Sequence, residues 1–191
     1  MKIKEKVLDT NKIPMEKDQL FFFSKSADKI AGKGTNEKVE DFGKYKELND
    51  IKDWRKILSN FYVAPFVYKN KRWNSVEHAF QSAKIELVDE KKAELFSLDS
   101  KHPIGSGDGL IARKNRKLVM LNEDKLREWD MIKSDIMEDI LLAKFSQVDL
   151  AKKVLLATNN AILLHGTRGM SPQRQRELEK VREKLRHLEI K

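Results

Sequence analysis

The chain has 191 residues, 40% hydrophobic and 36% charged, with a formal net charge of +9. That length suits one compact domain, and so large a charged share points to amphipathic helices rather than a β-sandwich. Zero cysteines exclude disulfides, thiolate metal sites and thiol catalysis, and no apolar run reaches the ~18 residues of a membrane span.

In chain order, residues 1–18 are polar and aperiodic and read as a flexible arm ahead of one domain over 19–191. Met1–Lys12 has no apolar stretch like that of a secretory signal, so a cytoplasmic protein is expected. Leu20–Phe23 is too short for a helix and reads as a buried strand, ended by Ser24–Asp28. Residues 28–50 are highly charged and carry a loop at Gly32-Lys33-Gly34-Thr35. Asn60–Tyr68 is aromatic and β-branched, broken by Pro65; the turn at Lys69-Asn70-Lys71 lets Phe66–Tyr68 pair with Arg72–Trp73 as a hairpin.

From Asn74 the period changes to helical. Ser75 suits an N-cap, and Val76, Phe80, Ala83 and Leu87 recur on one side. Residues 90–98 continue as a short helix, 99–110 read as a loop around Pro103 and three glycines, and 111–128 have no clear pattern. A helix over about 130–146 carries Ile132, Ile136, Met137, Ile140, Leu141, Ala143 and Phe145 on one face. Another over 148–157 turns Leu150, Val154 and Leu155 inward, and Ala161–Leu164 is a short apolar run. A last helix over 171–189 starts with Ser171 as cap and Pro172 in its first turn, and is lined by Leu178, Val181, Leu185 and Leu188. No repeat or linker divides the chain. The expected architecture is mainly α (α+β), with a small β element on its N-terminal side.

The chemistry concentrates at Leu58–Tyr62 and Trp73–Lys84. On a helix Glu77, Phe80, Gln81 and Lys84 share a face, which either frames a polar pocket or forms a solvated side with Phe80 tucked inward. The histidines, 78, 102, 165 and 187, stand at no zinc-ligand spacing, so no metal is expected and structural roles suit them best. Gly32–Thr35 lacks Walker spacing, because Ala27 stands where the first glycine would; its N–H groups are still able to hold a phosphate. Asp130 fits the N-terminal end of a helix, and Trp129 is either core or a surface on which a base stacks. The last helix mixes Arg174, Arg176, Lys180 and Arg182 with Glu177, Glu179 and Glu183, the pattern of a solvated face with local ion pairs. The net charge favours an anionic partner.

Taken together these segments resemble the NADAR (NAD- and ADP-ribose-associated, YbiA-like) family. The resemblance rests on Phe22-Phe23-Ser24, Leu58-Ser59-Asn60-Phe61 with Pro65-Phe66, and the specific block Trp73–Lys84. Trp129-Asp130 with Lys133 and Met137, Ala143-Lys144-Phe145 and Leu155–Thr158 follow in order. The ending Leu164–Gly169 resembles a branch found in large viruses and some phages. A bacterial D-x-x-W-G-x-G segment is absent, and Ala112-Arg113 stands where a G-R pair is expected.

The resemblance implies an N-glycoside hydrolase that cleaves the C1–N bond of an ADP-ribosyl or ribosyl-phosphate substrate, free or on DNA or RNA. It needs no cofactor, and a monomer is expected. In that role Glu77 is the acid/base group, Lys84 holds phosphate or attacks the opened sugar as a Schiff base, and Asp130 completes the catalytic set. Tyr62, Trp73 and Trp129 are available to stack on the base, and Asn60 and Gln81 to bond ribose hydroxyls. Ser24, Lys33, Phe61 and His78 complete the expected binding set. The alternative is a non-catalytic ADP-ribose or nucleic-acid-binding module.

Overall fold

The computed structural model describes residues 17–22, 29–166 and 171–189. In chain order its elements are β1 (Gln19–Phe22), α1 (Lys46–Asn49), α2 (Trp54–Ile57), β2 (Phe66–Tyr68), β3 (Lys71–Trp73), α3 (Val76–Glu86) and α4 (Glu90–Glu94). There follow α5 (Pro103–Ser106), α6 (Gly109–Lys114), α7 (Glu123–Gln147), α8 (Asp149–Ala157), β4 (Ile162–His165), β5 (Gln173–Arg174) and α9 (Arg176–Glu189). The fold is mainly helical α+β. The arm expected over 1–18 lies outside the described residues up to 16; Asp18 is tied down, accepting from Tyr45 Oη at 2.7 Å and from the Glu40 N–H at 2.9 Å.

The predicted hairpin is β2–β3, with Phe66 opposite Trp73. Lys69 and Asn70 both take positive φ, the geometry a two-residue turn needs to match strand twist. The first strand does not stay with that hairpin. β1 pairs in parallel with β4, Leu20 opposite Leu163, and β5 closes on β4 antiparallel. The apolar runs near the two ends of the chain thus find each other, and the sheet draws on both.

Around this sheet the helices share one contiguous core, with Leu20, Trp54, Trp73, Val76, Phe96, Ile140, Phe145, Leu155 and Val181 all buried in it. α3 packs on α4, α6 and α7, and α7 also packs on α9. Among the described residues, no helix is long and apolar enough to cross a membrane.

Several sequence expectations change. The helix predicted from 130 is α7, which starts at Glu123 because Asn122 caps it, its side chain accepting from the Lys125 N–H at 2.9 Å. Asp130 therefore sits well inside the helix and has no dipole role at its end. The final helix starts at Arg176 rather than after Ser171, since Gln173–Arg174 is taken as an edge strand by β4. Leu150 and Leu188, expected inward, are exposed. The segment read as a loop over 99–110 holds α5 and the start of α6, because two of its glycines serve close approach rather than a turn. A Cβ on Gly105 would meet the Ser97 carbonyl at 2.0 Å, and one on Gly109 the Phe61 backbone at 2.4 Å.

Candidate active site

A cavity of about 560 Å³ opens between α3 and the sheet. The turn after α2 lends it Ser59, Asn60 and Phe61; α3 lends Glu77 and Phe80; α6 lends Arg113 and α7 Met137. The opposite wall is Phe22 from β1, His165 and Gly166 at the end of β4, and Gln173 and Gln175 around β5.

Backbone bonds fix the geometry. The Asn60 carbonyl accepts the Glu77 N–H at 2.9 Å, so the turn and the first turn of α3 move as one. Ser59 Oγ accepts the Phe61 N–H at 2.7 Å, and the Asn60 amide lies 3.7 Å from Met137 Sδ. Phe80 packs at 4.9 Å between centroids on Trp129, which is buried behind it.

Glu77 is the buried carboxyl of the cavity wall. Only 4% of the residue is exposed. Burial raises its carboxyl above the ordinary range, against the Gln81 hydrogen bond and the positive charges of Arg113 and Arg116. Gln81 Nε2 donates to Glu77 Oε1 at 2.8 Å, and Arg113 Nη1 stands 3.5 Å from the same oxygen. Arg113 has a side chain 52% exposed, so it connects a buried acid to solvent. Across the cavity, burial lowers the His165 imidazole, which leaves it neutral near pH 7; its ring lies 5.5 Å from that of Phe22.

Of the residues named from sequence, the structure brings Glu77, Asn60 and Phe61 together at the cavity. Gln81 stands behind Glu77 with its Oε1 unbonded among the described residues, and Trp129 reaches the wall only through Phe80. Trp73 belongs to the core instead: its ring is buried and its Nε1–H donates to the Tyr68 carbonyl at 3.0 Å, so it offers no stacking surface. His78 is likewise wholly buried, between Ser75 Oγ at 2.7 Å and the Ile104 carbonyl at 2.9 Å, and burial lowers its imidazole. Tyr62 and Lys84 are half-buried and outside the lining. Asp130, its side chain 64% exposed, pairs with Lys133 at 2.6 Å and is also outside it.

Lys33 projects over the Phe42 ring, 4.7 Å from Nζ to the centroid. The loop around it cannot receive a phosphate as drawn from sequence, because the Gly32 and Gly34 N–H groups already donate to Glu37 Oε2 at 2.8 and 2.9 Å. Ser24 lies outside the described residues.

Sequence reasoning missed Arg113, His165, Gln173 and Gln175 as cavity residues. Arg113 follows Ala112 at the family's G-R position, which was the available signal for it. The other three arrive through the β1–β4–β5 pairing, which leaves no local trace. Among the described residues no three His, Asp or Glu cluster as a metal site would require.

Comparison with known proteins assigns the chain to a family. A NADAR domain model matches residues 52–169, and the chain belongs to the NADAR family. A curated relative, the N-glycosidase YbiA of Shigella boydii serotype 4 (strain Sb227), is 31% identical over 123 residues, 64% of this chain and 68% of its own. The NMR structure of the Escherichia coli protein YbiA is 22% identical, covers 79% of this chain and 80% of that one, and has a TM-score of 0.49.

Proposed function

We propose that the protein is an N-glycosidase that hydrolyses the C1–N bond of a phosphorylated ribosyl or ADP-ribosyl compound, with Glu77 as its acid/base group. The carrying observation is a carboxyl buried in the wall of a cavity, with an arginine at the rim beside it. The 31%-identical relative named as an N-glycosidase supports the same reaction class.

Cleavage of C1–N builds positive charge on the ribose and negative charge on the departing nitrogen. A carboxyl raised by burial keeps its proton long enough to give it to that nitrogen. The carboxylate left behind faces the ribosyl cation and then takes a proton from the water that adds at C1. The first transfer leaves the free protonated base; the second leaves a hydroxyl on C1 and returns Glu77 to its acid form. Arg113 is exposed enough to meet a phosphate, and when it does so its support of the Glu77 carboxylate weakens, which favours the protonated acid. Asn60, Gln173 and Gln175 present amides to sugar and base, and Phe61 and Phe80 offer apolar faces. The partner on this reading is an ADP-ribose-containing or phosphorylated ribosyl substrate, free or attached to nucleic acid.

The test is a substrate panel of ADP-ribosylated guanine DNA, NAD, ADP-ribose and ribosylaminopyrimidine phosphates, with products read by mass spectrometry. Release of a free base from at least one member, lost in Glu77→Gln, is the expected result. Binding of ADP-ribose without cleavage of any member would replace the hydrolase with a binding module. Borohydride added during turnover tests Lys84 separately: no adduct on that residue is expected from its place outside the lining.

A further inference from the structure

Lys144, in the last third of α7, is wholly buried, yet among the described residues no carboxylate pairs with it. Its ammonium donates to the Ile57 carbonyl at 3.0 Å and to the Ser59 carbonyl at 2.9 Å. It also lies 4.8 Å from the Phe145 ring centroid and 5.6 Å from that of Tyr62. Burying a cation without a counter-ion is costly, and carbonyl dipoles and ring faces offset that cost only in part. A lysine whose only task was to fill space here would be replaced at a gain by an apolar side chain of its size.

What the ammonium holds is the turn that builds the cavity wall. Ser59, Asn60 and Phe61 line the cavity, and the Asn60 carbonyl in turn bonds the Glu77 N–H. The path from Lys144 to the acid therefore runs through one turn: Ser59 carbonyl, Asn60, Glu77 backbone. We propose that Lys144 is a positioning residue, a buried two-carbonyl clamp that sets where Asn60 and Glu77 stand relative to a bound ribose. Neutral side chains of similar size fill the same space but differ in whether they donate, which makes the clamp separable from packing. The consequence for catalysis rests on the proposed N-glycosidase reading; the clamp itself does not.

The experiment compares wild type, Lys144→Met and Lys144→Gln by amide hydrogen exchange and by calorimetric titration with ADP-ribose. Methionine keeps the volume and removes every donor; glutamine keeps a neutral donor. In Lys144→Met the Phe61, Tyr62 and Glu77 amides are expected to exchange about tenfold faster or more, and ADP-ribose affinity to fall about tenfold, with Lys144→Gln between the two. Amides of the β2–β3 hairpin and α8 should stay as in wild type, which a general loss of stability would not allow. If Lys144→Met does not fold, Lys144→Gln carries the comparison; failure of both to fold overturns the proposal, because the lysine is then a folding residue. Turn amides and affinity within twofold of wild type in Lys144→Met would also overturn it. If wild type does not bind ADP-ribose, the functional reading fails, and hydrogen exchange alone still decides the clamp.

Discussion

Arg55 and Lys144 are both completely buried cations, and they hold two neighbouring stretches of chain by different means. Arg55 meets a carboxylate: its Nη2 lies 2.7 Å from Glu37 Oε2, with both side chains fully out of solvent. Its remaining donors reach the carbonyls of Phe21, Lys29 and Ile30, while Glu37 also accepts from the N–H groups of Phe21, Gly32 and Gly34. Lys144 meets carbonyls and ring faces but, among the described residues, no carboxylate, and burial pushes its ammonium down to about 7. Where only the path of the chain is at stake, charge is neutralised and every group is bonded. Beside the cavity the charge is left uncompensated, as expected where a residue serves geometry at some expense of stability.

The largest effect should come from breaking the neutralised pair. Arg55→Met strands the Glu37 carboxylate in a dry site with three N–H donors and no cation. Removing one member of such a pair costs about 3–5 kcal/mol, readable as a loss of unfolding free energy in denaturant. A loss under about 1 kcal/mol would mean that the N–H donors alone hold Glu37 and that the two regions differ less than their partners suggest.

Next is the acid on the cavity side. Glu77→Gln is nearly isosteric and keeps the wall intact, so folding should be unaffected. Turnover should fall about 10²-fold or more, equivalent to about 2.7 kcal/mol of transition-state stabilisation. If Glu77 acts as the acid, wild-type activity declines as pH rises through its raised pKa, because the proton is then already lost. A rate unchanged in Glu77→Gln on a confirmed substrate would move the chemistry elsewhere in the cavity.

How much of this was readable from sequence follows the same division. The β2–β3 hairpin, the start of α3 after Ser75, and most of the inward faces of α7, α8 and α9, Leu150 and Leu188 excepted, were legible because each is written in a local period; the Ser75 side chain itself pairs with His78 Nδ1 and makes no cap bond. That Glu77, Gln81 and Phe80 share one face of α3 was legible from the helical period, whereas the choice of Glu77 as acid/base group came from the family resemblance. The rest was not, for reasons of distance and environment. The pairing of Leu20 with Leu163 spans most of the chain, and neither run names its partner. Glu37 looked like one acid among many in a charged stretch, whereas it organises the glycine loop around itself. Lys144 sits in an Ala-Lys-Phe triplet whose pattern cannot say that the lysine points inward.

A third, smaller effect concerns pH. The Lys144 ammonium has an ordinary pKa of 10.5 when the chain is unfolded and about 7 when folded. Between those values the unfolded chain binds more protons, so this group's contribution to stability rises with pH from about 7 upward. Below 7 both states carry the proton, and the cost of burying the charge is fully present. Between pH 7 and 8.5 the wild type should therefore gain about 1–2 kcal/mol relative to Lys144→Met, in which the slope is gone. Parallel curves would show that the carbonyls and rings keep the ammonium charged, making Lys144 as well compensated as Arg55.

The smallest effect is expected at Lys33, and it tests whether the Glu37 region touches ligand at all. The glycine loop looks suited to phosphate, with two N–H groups and a lysine. Both N–H groups are spent on Glu37, however, and the carboxylate would repel an anion brought to the same place. Lys33 is exposed and rests against Phe42. A solvated charge outside the cavity contributes little at physiological ionic strength, so Lys33→Ala should change ADP-ribose affinity by less than about twofold. Arg113→Met, made at the cavity rim beside Glu77, should weaken the same binding by about tenfold, since one charged hydrogen-bond donor is lost. Affinity that falls with Lys33→Ala and survives Arg113→Met would place the phosphate at the glycine loop, and Glu37 would have to swing aside on binding. That outcome would make the Arg55–Glu37 region a ligand site and erase the contrast between the two buried cations.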